Sequence, residues 1–225
     1  MKSDKTQVTI KTYDNIVPEF LEYYDHGKSE VQFKEQLDFV AAQLPRGARI
    51  LDAACGLGLQ ARYLSNLGFD VVAIDASANM IAQAKTFAPK CTFKVVDIRK
   101  LNFPPKSFDA VISFATLIHL DDNDCKKVMQ NFHKLLKPDG VLLVNVKEHL
   151  EGEKEVIVEE PLNPELKTYF NRYSKNFIRD IFINDLKMTF LKEFNAGLFK
   201  PAAMEENSKG KIAKTQNQFT IIASK

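Results

Sequence analysis

The chain has 225 residues, 45% of them hydrophobic, and its 31 basic against 29 acidic residues leave a formal charge of +2. That length and composition suit one hydrophobic core with some elaboration, and a charge so close to neutral argues against nucleic-acid or membrane-surface binding. Three scattered cysteines, Cys55, Cys91 and Cys125, form no CxxC pair, which argues against a disulfide framework or a zinc site and fits a reducing compartment. The N-terminus lacks the apolar core of a signal peptide, and no apolar run approaches the ~20 residues that span a bilayer; a cytoplasmic location is expected.

Residues 1–12 read as loosely ordered. Helical periodicity then runs over Ile16–Tyr24 and Val31–Leu44, interrupted at Gly27 and stopped at Pro45. From there strands and helices alternate. Arg49–Ala53 is an apolar strand followed by a glycine turn, and Leu59–Leu67 is a helix ended by Gly68. Asp70–Ile74 is β-branched, as in a strand buried on both faces. A helix over Ala78–Phe87 is capped by Ser77, and Thr92–Val96 and Phe108–Phe114 are strands. The helix Asp124–Leu136, the turn Lys137–Gly140 and the strand Val141–Val146 follow. Beyond them the pattern loosens. Lys147–Asn163 reads as a charged loop carrying Pro161, with Pro164 just after it, and Phe177–Leu186 as a helix. Two late strands are expected near Thr189–Phe194 and Gln218–Ala223. The mildly basic stretch from Lys209 to Lys225 reads as a solvated face.

This alternation predicts an α/β fold: a doubly wound, Rossmann-like, mostly parallel sheet of about seven strands with helices on both faces. A single domain is expected, divided into an N-terminal helical appendage (1–45), a ligand-binding core (46–147) and a C-terminal sheet edge with pocket elements (148–225). In such a sheet, ligands sit at the carboxyl ends of the strands. That rule brings together Asp52–Gly58, Asp75, Asp97 and the segment Phe114–His119.

Gly56 and Gly58 permit a tight turn and close approach of a ligand to the backbone. Alone they also suit a plain strand–helix turn. Asp75 follows Gly58 by 17 residues, near the spacing of a ribose-binding acid, although Ser77 and Asn79 make it a candidate helix cap as well. The run Gly56–Ala61 also fits the dinucleotide fingerprint G-x-G-x-x-A. Asp52 argues against that ligand, because a carboxylate beside the turn would repel a pyrophosphate. It favours a ligand with a cationic amine and a sulfonium. Asp97, ending the third strand, can take an adenine amino proton.

These residues resemble the class I S-adenosylmethionine-dependent methyltransferases. LDAACGLGLQARYL resembles the family's first motif, AIDAS the acidic second-strand motif, VVDIRKLNFPPKSFDAVISFATLIHL the adenine and post-strand-four motifs, and LLKPDGVLLVNV the lead into strand five. The resemblance runs from about Tyr13 to Val146 and more weakly onward. It implies S-adenosylmethionine as donor, S-adenosylhomocysteine as product and no metal. It also implies roles by position. Asp52, Ala53 and the backbone of Ala54, Cys55, Gly56 and Gly58 would hold the methionine portion, and Asp75 the ribose. Ala76 and Met80 would flank the adenine, Asp97 and Ile98 would bind its edge, and Phe114 and Ala115 would line the space near the sulfonium. Ala54 stands where the family often has glycine, and the backbone there needs positive φ, which alanine resists.

For catalysis the candidates are His119, which follows the fourth strand and titrates near neutrality when unperturbed, and Tyr13 on the appendage. Each has a plain alternative, His119 as a packing residue and Tyr13 as a core or surface tyrosine. His26, His133 and His149 fall outside the expected mouth. Asp121, Asp122 and Asp124 read as a helix cap with acids in the first turn rather than a metal site. Tyr169, Phe170, Tyr173 and Phe177 are candidates for the opposite pocket wall, or for core. The expected function is methyl transfer to a small-molecule acceptor by a monomer or homodimer, with no nucleic-acid or membrane partner. The alternatives are a non-catalytic donor sensor or partner subunit and, disfavoured by Asp52, an NAD-dependent oxidoreductase.

Overall fold

The computed structural model describes residues 4–24, 31, 33–150, 152–160, 162–196 and 217–225. His26, Gly27 and residues 209–216 of the basic tail lie outside the described residues. Seven strands form one sheet: β1 (Arg49–Ala53), β2 (Asp70–Asp75), β3 (Thr92–Val95), β4 (Phe108–Phe114), β5 (Leu136–Lys147), β8 (Thr189–Ala196) and β9 (Gln218–Ser224). Their order is β3-β2-β1-β4-β5-β9-β8. The first five are parallel, and β9 runs antiparallel to both β5 and β8. The expected mostly parallel seven-stranded sheet is what the chain forms.

The alternation of each strand feeds two cores. Ile50, Val71, Ala73, Ile112 and Leu143 face α3 (Lys34–Ala42), α4 (Leu59–Asn66) and α5 (Ala78–Phe87). Their neighbours Leu51, Val72, Ile74, Val111 and Leu142 face α6 (Asp122–Leu135) and α7 (Lys175–Asp180). With both faces covered, the central segments Ile50–Leu51, Val71–Ile74, Ala110–Ile112 and Val141–Val144 are apolar. On α6, Val128, Met129, Phe132 and Leu135 share the inner face and are buried, at about 1.5–3 kcal/mol for each large side chain. Asp121 caps α6 by accepting the Asp124 amide at 2.8 Å. The acidic cluster is therefore a cap, as expected, and no metal-holding group occurs among the described residues. No described helix is long and apolar enough to cross a membrane.

Two expectations fail. Residues 5–15 are not loose: Lys5–Asn15 is a helix, α1, capped by Asp4 and followed by α2 (Val17–Tyr23). The charged stretch after Val146 is not all loop. Glu155–Glu160 (β6) pairs with Asn163–Asn171 (β7) as an antiparallel hairpin outside the main sheet. Both misreadings share a cause. Helix α1 has no apolar stripe, and it docks through threonine hydroxyls. Thr12 Oγ1 donates to the Lys167 carbonyl at 2.6 Å, and Thr9 Oγ1 accepts the Tyr169 amide at 3.0 Å. The unpaired side of β7 is thus satisfied by a polar helix face, which hydrophobic periodicity does not register. Smaller differences lie at element ends. Helix α3 begins at Lys34 after a left-handed Phe33, and α7 stops at Asp180 and runs into a π-turn over Ile181–Asp185.

Candidate active site

The strand order reverses between β1 and β4, and a crevice opens at their carboxyl ends, as in other doubly wound sheets. It holds a cavity of about 330 Å³ roofed by α1 and walled on the far side by the β6–β7 hairpin. Volumes of this order are typical of small-molecule sites.

The glycine turn forms the floor. Ala54, Gly56 and Gly58 all have positive φ (69°, 52° and 77°). A Cβ at Gly58 would stand 3.1 Å from the Ala84 side chain, a tight contact that adds to the preference for glycine set by the turn. At Gly56 a Cβ would meet nothing within 4 Å, and the residue lines the cavity. Ala54 adopts the backbone conformation that glycine would accept freely, the strain anticipated from its sequence. Ala115, at the end of β4, is also left-handed, with φ 51°. Two strained alanines thus face one cavity, where such strain characteristically collects.

Two carboxylates lie beside the turn. Asp75, at the end of β2, accepts the Gly56 amide on Oδ2 and the Ser77 amide on Oδ1, each at 2.9 Å. It is therefore both a turn clamp and a cavity-lining acid, and burial raises its pKa. Asp52 is 2% exposed, and its Oδ2 has no hydrogen-bond partner. Burial, and then the charge of Asp75, push its pKa up to about 7. A buried carboxylate oxygen without a donor is costly, and this one lies in the wall of a cavity.

Ala76, Met80, Ile98, Phe114 and Ala115 all line the cavity, as expected of them. Ala53 is fully buried in the core beneath the turn and does not reach the cavity. Asp97 lines the cavity too, but its carboxylate is gripped by Arg99, whose Nη2 lies 2.7 Å from Oδ2. Burial pushes its pKa upward, and the bonds from Arg99 outweigh that and hold it below the ordinary value.

His119 sits in a 3-10 turn, Leu117–His119, after β4. Its Nδ1 lies 2.7 Å from the Tyr169 carbonyl, which can only accept. Nδ1 therefore carries the proton, and Nε2 presents a lone pair. Tyr13 Oη lies 3.3 Å from Nε2 and so donates to it. Burial lowers the His119 pKa to about 4, so the ring is neutral at physiological pH. Burial also raises the pKa of Tyr13 well above its ordinary value. Of the late aromatics, Phe170 lines the cavity, 5.0 Å from His119 between ring centroids. Tyr169 and Tyr173 are buried, and Phe177 stacks on Tyr173. His133 and His149 lie away from the cavity.

Sequence reasoning missed Lys147, Glu160, Arg172 and Gln218 on the far wall. Lys147 carried a usable signal: a charge closing the buried run VLLVNV stands at the carboxyl end of a central strand, where ligands bind. Asp14 carried none. It accepts Ser77 Oγ at 2.6 Å and the Asn79 amide at 3.0 Å, while its own carbonyl accepts Asn79 Nδ2 at 2.8 Å. The roof helix is thereby latched to the start of α5, and at its other end Asp4 binds Arg99 at 3.0 Å. A side-chain cap of this kind contributes about 1 kcal/mol. Asp14→Ala should therefore speed amide hydrogen exchange over residues 5–15 by roughly fivefold. Unchanged exchange there would mean that the latch does not hold the roof.

Residues 50–140 match the family model described as a methyltransferase domain. Over that stretch the chain is similar to methyltransferase domains. It is 36% identical over 118 residues to phosphoethanolamine N-methyltransferase 3 of Arabidopsis thaliana, a match covering 50% of this chain and 23% of that protein. Across eight curated relatives the matches span 21% to 56% of the relative's length. Among solved structures, a Methanosarcina mazei protein titled a SAM-dependent methyltransferase shares the fold, with a TM-score of 0.70 at 20% identity, over 83% of this chain and 96% of that one. The cyclase SpnF shares it too, with a TM-score of 0.74 at 17% identity, over 98% and 96% of the two chains. The domain's fold is therefore common to different chemistries, and assigning its chemistry falls to the residues of the site.

Proposed function

We propose that this domain binds S-adenosylmethionine along the carboxyl ends of β1, β2 and β3 and transfers its methyl group to a small-molecule acceptor held under α1. The observation that carries this reading is the buried, partnerless Asp52 Oδ2 beside the glycine turn. A carboxylate so placed matches a ligand ammonium and repels a pyrophosphate, and Asp75 next to it strengthens both effects. Asp52 and the turn from Ala54 to Gly58 would hold the methionine portion, Asp75 the ribose, Ala76, Met80 and Ile98 the adenine. Asp97 would reach the adenine edge only by sharing oxygens that Arg99 already binds.

Bound there, the donor supplies an electrophilic methyl group whose leaving group is a neutral thioether. The domain's own residues then need to hold an acceptor in line and to manage its proton. Phe114 and Ala115 shape the space at the end of β4. Tyr13 and His119 form a hydrogen-bonded pair beside it. Neutral His119 accepts the Tyr13 hydrogen bond and fixes the direction of the hydroxyl, so the lone pairs of the tyrosine oxygen face the space where the acceptor would sit. The acceptor in the name of the phosphoethanolamine N-methyltransferase relative is a small molecule, and a cavity of about 330 Å³ suits that class.

Calorimetry with S-adenosylmethionine and with NAD tests the donor assignment: the first should bind and the second should give no heat. Its pH dependence tests Asp52. A cationic ligand favours the ionised carboxylate, so binding lowers the pKa from about 7 and releases a proton below that pH. Affinity should then fall as pH drops below 7, approaching tenfold per unit. Asp52→Asn should flatten that dependence and weaken binding at pH 8 by roughly 10–100-fold. A wild-type affinity independent of pH between 5.5 and 8 would remove Asp52 from the ammonium site.

A further inference from the structure

We infer that the far wall of the cavity is an oxyanion subsite, in which Lys147, with Arg172, grips a carboxylate or phosphate group of the methyl acceptor. This rests on the donor reading above, because it assigns the other end of the same cavity.

Lys147 ends β5, and its ammonium is turned into the cavity, 3.9 Å from the centre of the Phe170 ring. That ring face is the partner found for it: among the described residues the ammonium makes neither a hydrogen bond nor an ion pair. With a ring face as its partner, the half-buried ammonium keeps its N–H donors open to a ligand in the cavity. Burial pulls the lysine pKa down to about 8, against the opposing charge of Glu160. Glu160 is itself 5% exposed and already accepts Thr168 Oγ1 at 2.6 Å. Arg172 lines the same wall, and its charge reaches Lys147. Two cations against one carboxylate leave this wall one positive charge in excess.

A second group points the same way. Gln218 stands opposite Lys147 in the β5–β9 register, is 4% exposed and lines the cavity, and its Oε1 has no partner. An unfilled ammonium beside an unfilled carboxamide suits a ligand that both accepts and donates. A phosphate monoester does so, as does a carboxylate flanked by a hydroxyl or an amine. The subsite is separated from the Tyr13–His119 pair by Phe170, whose ring contacts both His119 and Lys147. An acceptor anchored at Lys147 would thus reach back past one ring to the reacting end.

Binding of inorganic phosphate and of acetate, followed by NMR titration, tests the inference in the wild type and in Lys147→Met and Lys147→Arg. At least one anion should bind the wild type, and which one binds tells phosphate from carboxylate acceptors. Lys147→Met should lose about tenfold or more in that affinity, and Lys147→Arg should keep it within about threefold. S-adenosylmethionine affinity should be the same in all three. If Lys147→Met does not fold, Lys147→Gln carries the same expectation. Donor binding with no binding of either anion, or anion affinity unchanged without the lysine, overturns the inference alone. Anion binding that needs Lys147 in a protein that binds no S-adenosylmethionine supports the subsite and overturns the donor reading alone.

Discussion

Asp75→Ala should weaken S-adenosylmethionine binding by roughly 100- to 1000-fold. Two effects add. In the proposed reading the carboxylate at the end of β2 would accept both ribose hydroxyls, and each hydrogen bond to a charged group contributes about 1.5–3 kcal/mol. It also clamps the Gly56 and Ser77 amides at 2.9 Å, so its loss frees the turn that would cradle the rest of the donor. Asp75→Asn separates the two. The amide keeps one acceptor for the turn but loses the charge and half of the ribose contact, so an intermediate loss of about 10–30-fold is expected. Calorimetry of both variants, with thermal melting as a check on folding, decides the matter. An affinity within threefold of wild type in a folded Asp75→Ala protein would assign Asp75 to the turn alone.

His119→Ala should lower kcat for methyl transfer by about 10–100-fold, because it frees the Tyr13 hydroxyl that the neutral ring orients, while leaving donor affinity within about threefold. Tyr13→Phe should show a comparable fall in kcat, and the double variant should cost little more than the worse single one. Groups that act as one hydrogen-bonded unit are not additive. The pH profile adds an independent readout. With its pKa lowered to about 4, His119 accepts a proton only well below neutrality. The acid limb of kcat should therefore show no break near 6.5, the ordinary histidine value. A break there, abolished in His119→Ala, would show that the histidine titrates as an exposed base. Full additivity of the two single variants would instead separate Tyr13 from His119.

The glycine turn, the strand alternation and the acids closing β1, β2 and β3 were legible because each rests on local chemistry. Ile50, Leu51 and Ala53 are apolar since both faces of β1 are buried, and Gly58 suits its position because its φ is positive and Ala84 crowds a Cβ there. Ala54 was legible as a strained position for the same reason, its φ of 69° being set by the turn. His119 and Tyr13 were nominated separately, 106 residues apart. No property of either residue announces the other, and their pairing exists because α1 lies across the end of β4.

Helix α1 was the least legible element, and the hairpin of β6 and β7 was next. The helix is stable here because Thr6, Thr9 and Thr12 meet backbone groups of His119, Tyr169 and Lys167, partners that an isolated segment does not have. Glu155–Glu160 is flanked by charges, and its strand character comes from pairing with β7. Asp52 also changed meaning. In the sequence it is an acid that disfavours a dinucleotide, and burial makes it a carboxylate poised near neutrality with one oxygen unfilled.

By itself, the sequence determined the parallel sheet, the turn between β1 and α4 and the acids at the strand ends, because periodicity and turn chemistry are encoded within a few residues. Only the tertiary structure decided what closes the cavity and what lines its far wall. The Asp14 latch, the Tyr13–His119 pair and the convergence of Lys147, Glu160, Arg172 and Gln218 join residues whose polar groups have no partner until distant segments meet, and no local pattern encodes such a meeting.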